Sequence, residues 1–161
     1  MIKIHPNPFV DLATTDDINR ILQLWKTEME YLHTLDPKFF SPTDSDKEEY
    51  EFRLTSAFDM FPIFILRISG KIEGFVNIYD CDNGIIDCNM IPYCEIENLI
   101  VSRKTSASGR KRLLHELKKW AKKEGYQRID FKVHSKDEKV VEYYKMIGID
   151  FTYHTMGLKV I

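Results

Sequence analysis

Near the end of the chain a strand-like run, a helix-like run and a second strand-like run follow one another. This order constrains the fold more than any other feature. Residues 93–101, ending in Leu99-Ile100-Val101, have the apolar content of a strand. Residues 109–124 place Leu113, Leu114, Leu117, Trp120 and Ala121 on one helical face, and Gly125 supplies a left-handed cap. Ile129, Phe131 and Val133 then alternate with polar residues. Two strands joined through a helix run parallel by a right-handed crossover, which predicts a βαβ unit.

The segments before it predict an antiparallel meander. Residues 9–12 read as an opening strand, and Thr14 with Asp17 forms a capping box. The stripe Ile18, Ile21, Leu22, Trp25, Met29, Leu32 predicts a helix that Asp36-Pro37 ends. Ser45 with Glu48 predicts the start of a second helix carrying Tyr50, Leu54 and Phe58, stopping near Pro62. Residues 63–68 and 72–79 read as strands joined by Ser69-Gly70-Lys71. Asp82-Asn83-Gly84 signals a hairpin into a further strand ending near Asn89. Ser135 with Glu138 predicts a cap for a fourth helix holding Val140, Val141 and Tyr144 and ended by Gly148; residues 151–160 supply one or two last strands. The expected whole is one α/β domain over residues 1–161: a mixed, mostly antiparallel central sheet flanked by about four helices, with the βαβ unit at its C-terminal end.

Apolar residues make up 43% and charged residues 30% of the chain, which excludes disordered, collagen-like and coiled-coil classes. The longest apolar run, residues 60–66, is broken by Pro62 and too short for a bilayer, and the first residues lack the apolar core of a signal peptide. A cytoplasmic protein with no membrane partner is expected. A net charge of −2 gives no electrostatic case for nucleic acid. Cys81, Cys88 and Cys94 cannot all pair, which suits a reducing compartment, and no cysteine or histidine spacing fits zinc, so no metal is expected.

Charge is unevenly spread. Residues 103–123 are strongly basic and residues 28–59 mainly acidic. Arg110, Lys111 and Arg112 stand in the first turn of a helix, where cations oppose the helix dipole. Two explanations fit: an anion held by the backbone N–H groups of that terminus, or an exposed basic face that costs some helix stability.

At these residues the chain resembles the GNAT N-acetyltransferase superfamily. The strand 95–101, the loop and the helix 113–125 are similar to its acetyl-CoA motif, and the stretch from Val140 through Tyr143-Tyr144 to Gly148-Ile149 is similar to its Ala-x-x-Phe-Tyr-x-x-x-Gly-Phe signature. Residues 12–17, 32–40 and 70–76 follow the family's order as well. The phosphate loop departs from the family's Arg/Gln-x-x-Gly-x-Gly/Ala: this register reads Ser106-Ala107-Ser108-Gly109-Arg110-Lys111 and keeps only Gly109.

The resemblance implies an acetyl-CoA-dependent N-acetyltransferase in which an amine attacks the acetyl thioester directly. It implies that the backbone of Leu99, Ile100 and Val101 holds the pantetheine and acetyl group. Backbone N–H groups of Ala107, Ser108, Gly109, Arg110, Lys111 and Arg112 would hold the pyrophosphate. Asp137 takes the place of an asparagine that often contacts the cofactor. Tyr144 falls on the tyrosine that serves as general acid, with a buried core tyrosine as the plainer reading. Glu95 aligns with a general base that some members carry, with Glu97 the other candidate; each also reads as a strand residue reaching water. Period-two alternation puts both glutamates on the face of Leu99 and Val101 unless a bulge intervenes.

The implied acceptor is a small-molecule or peptide amine lying across the first two helices and residues 80–84, and the acids of residues 28–59 favour a cationic one. A homodimer is compatible with the resemblance, since many relatives dimerise. His134 ends a strand near the expected cleft, whereas His115 sits on the basic helix. Two other classes compete: a CoA-binding or regulatory module without turnover, motivated by Ser106 and Lys111, and, more remotely, a nucleic-acid binder using residues 110–123.

Overall fold

The computed structural model describes residues 8–82, 91–105 and 107–149. Strands β1 (Phe9–Leu12), β2 (Phe64–Ile68), β3 (Lys71–Asp82), β4 (Tyr93–Val101) and β5 (Arg128–Phe131) form one sheet in sequence order. Helices α1 (Ile18–Leu35), α2 (Asp44–Ala57), α3 (Ala107–Lys123) and α4 (Glu138–Met146) complete the described part. Every neighbouring pair is antiparallel except β4 with β5, which α3 joins as the expected parallel crossover.

Two apolar cores sandwich the sheet. On one face Ile21, Leu22 and Trp25 of α1 and Tyr50 and Leu54 of α2 cover Ile65, Phe75 and Ile100. Trp25 and Tyr50 stack at 4.6 Å, locking the two helices together. On the other face Leu113, Leu117 and Ala121 of α3 cover Leu66, Val76, Ile78, Ile96 and Val101. Coverage on both faces explains why β2 and β3 read as nearly continuous apolar runs rather than as strict alternation.

The Thr14–Asp17 capping box forms as expected. The second box lies two residues earlier than predicted: Thr43, in extended geometry, accepts from the Asp46 amide while Asp46 accepts from the Thr43 amide, so α2 starts at Asp44 rather than near Ser45. At α4 the cap position is Asp137, not Ser135, and its carboxylate makes no capping bond. Gly125 and Gly148 close α3 and α4 with φ of +91° and +82°. The hairpin at Asn83-Gly84, the strand to Asn89 and the strands of residues 151–160 lie outside the described residues.

Two irregularities shape β4. First, it pairs with β5 only from Tyr93 to Ile96, and beyond that the strands part. Second, the β3–β4 register shifts: Asn77 pairs with Asn98 and Ile78 with Ile96, leaving Glu97 as the extra residue of a bulge. The bulge reverses the alternation within β4. Cys94, Ile96 and Val101 are buried, and Leu99 half-buried, against α3, while Ile100 packs under α1 and α2. Glu95 and Glu97 therefore stand on the face opposite Leu99 and Val101, so unbroken alternation does not hold.

Candidate active site

The parting of β4 from β5 opens a cleft of about 100 Å³. Its walls are the β4 residues Glu97, Asn98, Leu99 and Ile100, the segment from Phe131 to His134, Glu28, Met29 and Leu32 of α1, and Arg110, Asp137, Val140 and Tyr144 from the α3–α4 side. The sheet supplies this opening because a parallel pair that stops after four residues leaves the next backbone groups of β4 without a partner in β5.

Tyr144 lies at its centre. The ring packs edge-on against Phe131 at 4.7 Å, and the residue is 5% exposed. Its hydroxyl accepts a hydrogen bond from Arg110 Nη1 at 2.9 Å, and the same nitrogen donates to the Leu99 carbonyl at 3.1 Å. Burial raises the Tyr144 pKa and the Arg110 guanidinium opposes the rise, so the phenol remains a proton donor at neutral pH. Tyr143 points elsewhere and donates to the Ala107 carbonyl at 3.2 Å.

The two glutamates separate clearly. Glu97 lines the cleft, accepts from Asn77 Nδ2 at 2.8 Å and pairs with Arg53 at 3.2 Å. Behind it lies a buried polar network: Tyr50 donates to Asn77 Oδ1 at 3.4 Å, and Asn98 Nδ2 donates to the Tyr50 hydroxyl at 3.2 Å. Burial, then the Glu97 charge, drives the Tyr50 pKa well up, so Tyr50 acts as a neutral strut. Glu95, outside the cleft lining, is tied to Lys132 at 2.9 Å.

The cofactor-side residues divide as well. Leu99, Ile100, Arg110 and Asp137 line the cleft; Val101 is buried against α3 instead. Because α3 starts at Ala107, the amides of Ala107, Ser108 and Gly109 lie in its first turn, ahead of the i→i−4 ladder that the Arg110 amide opens. The amides of Lys111 and Arg112 fall within the helical ladder, and their side chains are exposed. Gly109 is buried with its α-carbon facing the core: an added Cβ would lie 2.6 Å from Leu66 Cδ2 and 2.8 Å from Thr105 Cγ2. Its glycine serves the close approach of α3 to the sheet.

Further side chains surround the cleft, and Glu28, Tyr31 and Arg103 among them belong to no motif. Glu28 pairs with Arg103 at 3.1 Å, and the Arg103 guanidinium lies 3.1 Å from the centre of the Tyr31 ring. Burial raises the Glu28 pKa against the pull of Arg103 and Arg110. Asp137 is 5% exposed and receives a long bond, 3.5 Å, from the Tyr31 hydroxyl. At the mouth His134 pairs with Asp36 at 3.4 Å, Lys136 with Asp36 at 2.9 Å, and Phe40 packs on the His134 ring at 5.1 Å. Glu28 was visible in the sequence: it falls on the buried stripe of α1, between Trp25 and Leu32, where an unpaired carboxylate is costly. Four carboxylates at or near the cleft, Glu28, Asp36, Glu95 and Glu97, thus already have cationic partners, and the first two belong to the acidic segment 28–59.

Burial pushes the Cys94 thiol up to about 12, which removes it as a nucleophile. Among the described residues no group of histidine, cysteine and acidic side chains could hold a metal ion, and no helix is long and apolar enough to cross a membrane.

A CoA thioester fits one end of this site and strains the other. The first turn of α3, with Lys111 and Arg112 beside it, suits a pyrophosphate. The cleft itself is smaller than ligand pockets of about 300–1,000 Å³, and Arg110 occupies part of it.

A mixed sheet that splays after β4, with a helix N-terminus at the splay, defines an acyl-transfer architecture, and residues 20–149 match the Acetyltransferase (GNAT) family. The chain belongs to that family and is an acyltransferase by class. No curated protein matches the sequence. The fold is similar to that of the tetramutant BH1408 protein from Bacillus halodurans, with a TM-score of 0.80 at 14% identity over 94% of this chain and 99% of that one. It is similar to the aminoglycoside N-acetyltransferase AAC(6')-Iy in complex with CoA, with a TM-score of 0.71 at 14% identity over 99% of both chains. It is also similar to the ribosomal-protein-alanine N-acetyltransferase of Brucella melitensis biovar Abortus 2308, with a TM-score of 0.68 at 15% identity over 96% of this chain and 99% of that one. At such identities the likeness is one of fold.

Proposed function

We propose that this chain transfers the acetyl group of acetyl-CoA to a primary amine by direct attack. The observation that carries the reading is the buried Tyr144 hydroxyl, held in the cleft beside the Leu99 carbonyl. Bound acetyl-CoA supplies an activated acyl carbon and a thiolate leaving group. Leu99 and Ile100 orient the pantetheine arm through the backbone that β5 leaves unpaired, with Val101 supporting it from the α3 core. The amides of Ala107, Ser108, Gly109 and Arg110 hold the pyrophosphate, and Lys111 and Arg112 add charge from outside.

Glu97 takes the proton from the attacking ammonium, directly or through water, and the amine nitrogen bonds to the acyl carbon. As the tetrahedral adduct collapses, the carbon–sulfur bond breaks, the electron pair goes to sulfur and Tyr144 gives it a proton. The second proton of the nitrogen passes to water, and the phenol is reprotonated from solvent. Glu97 is favoured over Glu95 because it faces the cleft while Lys132 holds Glu95 aside. Asp137, an anion behind the thioester, is better suited to orienting the acceptor side through Tyr31 than to touching phosphate. The acceptor approaches between α1, α2 and the end of β3.

The test is release of free CoA thiol from acetyl-CoA over a panel of amines and peptides. Thiol release that Glu97→Gln cuts by about 10²-fold or more and Glu95→Gln hardly touches supports the assignment. Acetyl-CoA binding without release to any amine would replace it with the non-catalytic CoA-binding module.

A further inference from the structure

Arg110 belongs to the basic first turn of α3, yet it behaves unlike its neighbours. Lys111 and Arg112 are exposed, while Arg110 turns into the cleft. One of its guanidinium nitrogens bonds both the Leu99 carbonyl and the Tyr144 hydroxyl. The role of Arg110 rests on the acetyltransferase reading, which gives these two groups to the pantetheine arm and the departing sulfur. Arg110 stands in the wall of the cleft and holds the Leu99 carbonyl that this reading gives to the pantetheine arm. A thioester that takes that carbonyl displaces the guanidinium and breaks two part-buried, charge-assisted hydrogen bonds.

The displaced side chain has one favourable destination. It roots at the N-terminal turn of α3, where a cation opposes the helix dipole unless an anion is bound. A pyrophosphate at that turn offers the guanidinium bidentate oxygen partners that compensate for those lost inside. A thioester without phosphates breaks the inner bonds and returns nothing.

We infer that Arg110 is a specificity-determining residue that seals the thioester cleft and yields it only to acyl thioesters bearing the CoA pyrophosphate, excluding those on pantetheine alone. Discrimination of this kind is built from a cost imposed on the wrong ligand as well as from attraction to the right one.

Calorimetric titration of the full chain with acetyl-CoA and with S-acetylpantetheine tests this, using wild type, Arg110→Ala and Arg110→Gln. Two variants guard against one failing to fold, and thermal melts check both. Removing the seal is expected to tighten S-acetylpantetheine about tenfold while acetyl-CoA weakens, so the two ligands move in opposite directions. Acetyl-CoA bound more tightly by the variants than by wild type overturns the selective role, since Arg110 would then obstruct both ligands alike. S-acetylpantetheine unchanged, weakened or unbound in both variants, with acetyl-CoA bound by wild type, overturns the seal and leaves the acetyltransferase reading standing. Acetyl-CoA bound by neither wild type nor variants overturns both.

Discussion

The two faces of the sheet solve different problems. The α3–α4 face is apolar and closely fitted, and its chemistry is concentrated where Arg110 meets Tyr144 and Leu99. The α1–α2 face combines an apolar core with a buried polar chain from Tyr50 through Asn77 to Glu97, closed by Arg53. On the proposed mechanism the difference reflects the group each face holds. An acyl donor of fixed structure can be met by backbone and one phenol, which need only tight packing to stay in place. A carboxylate proposed as the base must be aimed from within a core, and that takes hydrogen-bond partners, here Asn77 and Arg53.

Four substitutions sharpen the contrast. The largest effect belongs to Tyr144→Phe, which removes the acid and nothing else of volume: kcat should fall by about 10²–10⁴-fold with the melting temperature nearly unchanged. Loss of stability with retained turnover would make Tyr144 a core residue instead. Gly109→Val should destabilise by about 1–3 kcal/mol in denaturant titration, because the new side chain runs into Leu66 and Thr105. On the opposite face Asn77→Leu should cost about 1–3 kcal/mol as well, by leaving the Tyr50 hydroxyl and the Glu97 carboxylate short of partners. Unlike Gly109→Val, it should also lower kcat, since Glu97 loses the Asn77 bond that holds it in the cleft. Coincident behaviour of the two variants would erase the distinction between the faces.

The smallest effect lies at the mouth. The Lys136 ammonium donating to Asp36 holds that carboxyl below its ordinary value of 3.8. A lowered folded value means the native state releases its proton first, so the contribution is complete above the ordinary value and disappears as pH falls through the folded one. The difference in melting temperature between wild type and Asp36→Asn should therefore be constant near neutrality and shrink below about pH 4.

What could be read beforehand was local. The stripe of α1, the Thr14–Asp17 box, the crossover through α3 and the glycine at the end of each late helix depend on neighbours a few residues away, where periodicity and capping chemistry act. Tyr144 and Glu97 were reachable only because their surroundings resemble a family. The inward turn of Arg110 was not legible, since its partner Tyr144 is 34 residues off and nothing in Ser108-Gly109-Arg110 distinguishes it from the two exposed cations after it. The bulge at Glu97 was invisible for the same reason: register between β3 and β4 is set by packing on both faces, not by the sequence of β4 alone. Asn77 did leave a trace, as an amide inside the buried run from Phe75 to Ile78.

The central claim is that the donor enters between β4 and β5 with its phosphates at the start of α3. Amide NMR of the wild-type chain titrated with acetyl-CoA tests it most directly. Saturable shifts concentrated at Leu99, Ile100 and Val101 and at Ala107, Ser108, Gly109 and Arg110, absent when adenosine alone is added, are the predicted result. Saturable shifts confined to another surface, such as the groove beside Arg20, Arg67 and Lys71, or no shifts at all, would contradict the account.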